Sequence, residues 1–269
     1  GEEEGTNASV SIMGSLNTRT INVVNGSLNF LNDTGTPHDF GSIGQTTLNA
    51  RGHFTAKGND QSDTLSGNLL LASGAKSEDD AWTSAILENL TFKGNITLSE
   101  DYNHLDLTQV NVKGDVVVAG NNNTFNMASS AIDGLLDVSG GKFTITGTNT
   151  ADTATISGKA QVTISDGASL KVRETVVKPE GRLDVNGTLD SSVLLDGTGA
   201  MLVLGSDNNA NVTGNVTIIG GEAILNSTDE TPIGGNLTFN GVSADNALLT
   251  IKNDWNFGNA VIMNGAGTI

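Results

Sequence analysis

The feature that most constrains this chain is a phrase it repeats. Residues 94–98 read GNITL, 114–118 read GDVVV and 134–138 read GLLDV, so a glycine leading an alternating apolar run returns every 20 positions. Less even copies start at Gly26, Gly44 and Gly67 upstream and at Gly158, Gly181, Gly199, Gly214 and Gly235 downstream, roughly 15–27 residues apart. Further short apolar runs lie between them: HLDLTQV (104–110), TFNM (124–127), KFTIT (142–146), SLKV (169–172), EAIL (222–225) and ALLTI (247–251). A period of this length marks a repeat architecture.

Within each run the apolar positions have period two, as in Ile96-Leu98 and Val116-Val118, which is strand periodicity. The runs are short and bounded by Gly, Asn, Asp or Ser, the turn formers. One such strand cannot bury its apolar face alone. Three per rung of about 20 residues, stacked at ~4.8 Å on similar rungs, can. The expected fold is therefore all-β, a parallel β-solenoid forming one domain over residues 1–269, with about 13 rungs and a length of roughly 60 Å. Glycine is expected at the corners, where a positive φ is often needed. A β-propeller would repeat at ~40–45 residues, and leucine-rich repeats need a Leu-x-x-Leu-x-Leu frame that is missing here. A β-sandwich would not repeat at this period.

Two segments interrupt the pattern, 32–45 with Pro37 and His38, and 72–90. The second holds SEDDAWTSAILENL (77–90), where Trp82, Ile86 and Leu87 are spaced as on a single helical turn or else lie in a loop. Insertions on a rigid solenoid are loops, and loops are natural binding sites.

Charge narrows the partners. Asp and Glu number 30 against 13 Lys and Arg, a net charge of −17. That balance repels nucleic acid and anionic membrane surfaces. The absence of cysteine excludes disulfides, thiolate metal sites and cysteine nucleophiles. No apolar run approaches the ~18–20 residues of a membrane helix. GEEEGTNASV at the start lacks the pattern of a signal peptide, and MNGAGTI at the end stops within the repeat. The expectation is a mature fragment of something longer.

Little in the chain reads as chemistry. His38, His53 and His104 are scattered, with no His-x-x-x-His spacing. There is no G-x-S-x-G or G-D-S-G phrase. Asp79-Asp80 and Asp229-Glu230 are adjacent carboxylates in loop-like sequence, with few aromatic or basic residues to build a sugar cleft, so a glycan hydrolase or lyase is the lesser alternative. SEDD (77–80) offers hard oxygens for calcium but lacks an EF-hand or nonapeptide frame. No catalytic residue, metal or cofactor is expected. The run GNNNTF (120–125) suggests amide ladders inside a turn. Asn59-Asp60, Asp79-Asp80, Asp101 and Asn121-Asn122 recur at about the repeat length, and so are expected to line one edge of the rod as a hydrogen-bonding stripe. Lys171, Arg173 and Lys178 form the densest basic cluster, the candidate site for an anionic ligand.

The rungs GNITL, GDVVV and GLLDV, the phrase NVTGNVTIIGGEAIL (211–225) and the cysteine-free, acidic, Asn/Thr/Gly-rich sequence resemble the autotransporter passenger domains of Gram-negative bacteria, closest to the AIDA/antigen 43-type adhesins. The resemblance covers essentially the whole chain and rests on style more than on one motif. It implies a right-handed parallel β-helix with three sheets, and export followed by display at the bacterial cell surface. The passenger would be covalently continuous with an outer-membrane β-barrel. It implies an adhesin that acts by homotypic self-association between cells, leading to aggregation and biofilm, or by binding host extracellular-matrix protein or glycosaminoglycan. The protease members of that family carry a G-D-S-G phrase that this chain lacks.

Overall fold

The computed structural model describes residues 8–32, 34–72, 82–207, 209–241, 247–253 and 259–269. Among them there is no helix. The chain winds into a right-handed parallel β-helix. Some rungs contribute three short strands, for example Thr83–Glu88, Thr91–Lys93 and Ile96–Leu98, then Asn103–Thr108, Asn111–Val112 and Val116–Val118; in others the second and third are one continuous strand. The first strand of every rung joins a 12-stranded sheet. The remaining strands share a 15-stranded sheet. Later rungs make this plain: Ala131–Val138 is one strand that pairs with both Asn111–Val112 and Val116–Val118.

The repeat length is the register. Ile96 pairs with Val116 and Val116 with Leu136, while Leu98 pairs with Val118 and Val118 with Val138. All six are at most 2% exposed, and each such burial is worth about 1.5–3 kcal/mol. Leu105, Phe125 and Phe143 form another inward column. The two phenyl rings stack at 4.1 Å with an interplanar angle of 2°. Twelve strands at ~4.8 Å make a rod of about 53 Å, shorter than the expected 13 rungs give. Some rungs exceed 20 residues: His53 pairs with Ser84, 31 positions on.

Glycine in the repeated phrase serves two purposes: Gly67, Gly158 and Gly199 have the expected positive φ, at 130°, 55° and 79°, and the three most regular copies serve another. Gly94, Gly114 and Gly134 do not have positive φ. They sit at the bend of the second sheet, where successive rungs touch backbone to backbone. A Cβ on Gly114 would lie 2.6 Å from the Gly94 carbonyl oxygen, and one on Gly134 would lie 2.8 Å from that of Gly114. The left-handed residues that turn the chain after the first strand are Asn89, Gln109 and Ser129, with φ of 52°, 55° and 49°. Asn and similar short polar residues tolerate that conformation better than branched ones.

The residue after the phrase glycine ties rung to rung. The Asn95 N–H donates to Asn68 Oδ1 at 3.0 Å, the Asp115 N–H to Asn95 Oδ1 at 2.9 Å and the Leu135 N–H to Asp115 Oδ1 at 2.8 Å. The same link returns where the Asn236 N–H donates to Asn215 Oδ1 at 2.8 Å. Inside the turn, as GNNNTF suggests, the buried Asn103 N–H donates to Asn123 Oδ1 at 2.8 Å.

Both expected interruptions are smaller than the sequence implies. Of 32–45, residues from 39 onward belong to the strand Asp39–Asn49. The remaining loop is clamped by the buried Asp63, which accepts from Asn32 Nδ2 at 2.9 Å and from the His38 N–H. Of 72–90, Thr83–Glu88 is a strand and not a helical turn. Its inward residues are Thr83, Ala85 and Leu87, which alternate, so Ile86 belongs to the outer face. Residues 73–81, including the SEDD run, lie outside the described residues.

Candidate functional site

The expected stripe divides between two corners of the rod. Asp101, Asn121 and Asn122 come together on the turns that lead into Asn103–Thr108 and Thr124–Ala128. The Asn121 N–H donates to Asp101 Oδ1 at 2.7 Å, and Asn122 Nδ2 donates to Asp101 Oδ2 at 3.1 Å. Asn121 and Asn122 remain exposed. Asn59 and Asp60 do not join them. They follow His53–Lys57 and so occupy the next corner, where a strand of the first sheet is left and not entered. The Asn59 N–H donates to Asp63 Oδ2, the carboxylate that Asn32 and His38 also donate to. Asp60 accepts from Ser62, side chain and backbone, which holds its pKa below the ordinary carboxylate value. Asp79 and Asp80 lie outside the described residues.

The corner bearing Asp101 changes character along the rod. After the exposed amides of Asn121 and Asn122 it narrows to Gly140 and Gly141, both buried. Lys159 and Lys178 then stand exposed on the next two turns. Acid and amide therefore occupy this edge before the glycines, and lysine enters it after them, beside the exposed Glu180 on the turn of Lys178 and the exposed Asp196 on the turn that follows.

The basic cluster also separates. Lys178 belongs to this corner, whereas Lys171 and Arg173 lie on the strand Ser169–Val177 at the bend of the second sheet. Neither is a free cation. Arg173 donates through Nε and Nη2 to Asp152, both at 3.2 Å. Lys171 Nζ lies 3.5 Å from Asp190 Oδ2. The hydrogen bond to Arg173 keeps Asp152 below its ordinary pKa, and Asp152 raises that of Arg173. Asp152 thus stays ionised at neutral pH, unsuited to the role of general acid.

On the outer face of the first sheet, Asp106 accepts from Asn126 Nδ2 at 2.7 Å and pairs with His104 Nε2 at 2.8 Å. Burial pushes the Asp106 pKa up, but the hydrogen bonds from His104 and Asn126 outweigh it and the net direction is down. His53 Nδ1 lies 2.7 Å from Ser84 Oγ. His104 and His53 thus each have a partner, whereas the buried Nε2 of His38 has none among the described residues. Among the described residues no group of three or more His, Cys, Asp or Glu could hold a metal ion. Asp229 is occupied as a turn former, accepting from the Thr231 N–H at 2.9 Å.

The pairs Arg173–Asp152, Lys171–Asp190 and Lys113–Asp133 were available to sequence reading. Each joins opposite charges about one repeat apart, the spacing that stacks one residue on another. Comparison of the chain with protein-family models, with curated proteins and with solved structures gives no match.

Proposed function

We propose that this β-helix is the passenger of a bacterial surface adhesin, displayed on an outer-membrane β-barrel, and that it promotes aggregation and biofilm by rod-to-rod self-association between cells. The observation that supports this reading is the placement on one corner of Asp101, Asn121 and Asn122 on one side of Gly140-Gly141 and of Lys159 and Lys178, one and two turns away, on the other. A second copy set antiparallel along that edge, with its two-fold axis at Gly140-Gly141, brings Asp101 of each rod toward Lys178 of the other. Asn121 and Asn122 then face Lys159. Such an interface is isologous. The glycines let the edges approach without side chains between them. Each polar contact is worth only about 0.5–1.5 kcal/mol net, and many rods acting between two surfaces add up through multivalency. Local pairing of acid with lysine also offsets the repulsion between two chains of net charge −17.

Sedimentation velocity across concentration and salt, beside a clumping assay of cells displaying the chain, tests the reading. Asp101→Lys and Lys178→Glu are each expected to abolish dimers and clumping, and the double variant to restore both. A monomer at high concentration with no clumping, or single variants that still dimerise, would rule the interface out. The alternative of glycosaminoglycan binding draws no support from Lys171 and Arg173, since each already faces a carboxylate. A hydrolase or lyase draws no general acid from Asp152, which is held ionised.

A further inference from the structure

The bend of the second sheet obeys one rule in most rungs and another in three. Gly94, Gly114 and Gly134 before, and Gly214 and Gly235 after, leave it bare of side chains. In between, Asp152, Arg173 and Ser191 occupy it. The strand pairing slips on entering this stretch, between Ile132 and Leu135, and again within it, between Lys171 and Glu174. The stacked core does not require the change, because rungs on either side close the same bend with glycine. The result is an open groove of about 600 Å³ whose walls include Thr150, Asp152, Lys171, Arg173, Asp190 and Thr213. Departures from a chain's own local rule are where function is to be sought.

We propose that this groove binds an uncharged, hydroxyl-rich polysaccharide lying along the rod. Its charges come in matched pairs, Arg173 with Asp152 and Lys171 with Asp190, and Thr213 Oγ1 donates to Asp190 Oδ1 at 2.7 Å. A sulfated or uronic polymer finds no unpaired cation there, and a cationic polymer finds no unpaired carboxylate. A sugar hydroxyl suits both halves of a pair, because it donates to the carboxylate and accepts from the guanidinium or ammonium. The planar Arg173–Asp152 fork holds its donors and acceptors at fixed angles. These groups recur rung by rung at ~4.8 Å, close to the advance of one pyranose ring in an extended chain. The scaffold beneath them is rigid sheet, so little ordering is needed on binding. This site is separate from the corner proposed for self-association.

Calorimetric titration of the whole chain with linear neutral hexasaccharides of glucan, mannan, xylan and galactan type, beside heparin and hyaluronan fragments, tests the assignment. At least one neutral series should bind, tightening with chain length up to the span of the three rungs, and the anionic fragments should not. Asp152→Asn and Arg173→Gln should each weaken binding about tenfold or more, with circular dichroism unchanged. Thr163→Ala on the first sheet should leave it as it was. Binding of the anionic fragments instead, silence from every neutral series, or neutral binding that survives both substitutions would overturn the proposal.

Discussion

The rungs from Thr91 to Val138 and those from Thr148 to Leu195 share one core and differ at one bend. In the first set, glycine followed by Asn or Asp packs backbone on backbone and links each rung to the next through a side-chain oxygen. In the second, charged side chains fill the bend and pair across rungs while staying half or more exposed. The difference separates what the solenoid needs in order to stack from what it carries on its surface. A bend can be closed with glycine, and where Asp152 and Arg173 stand instead they face solvent and their stabilising worth is small.

That contrast can be broken by substitution. Gly114→Ala places a methyl 2.6 Å from the Gly94 carbonyl oxygen, so urea unfolding should register a loss of about 3 kcal/mol, the upper end for overpacking. Equal tolerance of Gly114→Ala and Asp152→Ala would erase the distinction. Asn95→Ala deletes the acceptor for the Asp115 N–H and should cost about 1 kcal/mol in the same assay. Arg173→Ala removes an exposed pair and should leave stability almost unchanged, the more so at high salt.

The smallest effect is a pH dependence. Asp106 has a folded pKa below its ordinary value of about 3.8. Its contribution is therefore present above that pH and is lost as pH falls through the lowered folded value. The stability difference between the native chain and Asp106→Asn should accordingly persist at neutral pH and vanish in an acid titration followed by circular dichroism. A difference that grows with acid would reverse the sign assigned here.

Much of the fold was legible because stacking turns sequence distance into contact. Ile96, Val116 and Leu136 could be placed on one inward column from spacing alone. Which role each glycine plays was not, since the positive φ of Gly158 and Gly199 and the close backbone approach at Gly114 and Gly134 select the same residue. Trp82, Ile86 and Leu87 imitate a helical turn only while the alternation of Thr83, Ala85 and Leu87 is overlooked. The stripe failed for a further reason. A spacing near one repeat fixes the step between rungs but not the corner, and Asn59-Asp60 leave a first-sheet strand where Asp101 and Asn121 enter one. The groove needed the slips in register, and these come from rungs of unequal length.

The hydrogen bonds between rungs run along the rod, and this gives the molecule a mechanical character. Tension applied at the chain ends reaches the terminal rung first, because each rung is held only by its neighbours. Peeling one rung of about 20 residues frees roughly 70 Å of chain and leaves the next edge intact as a template for rewinding. A rod bridging two surfaces would then yield in discrete lengths, shedding load stepwise without snapping, and recover when the pull is released.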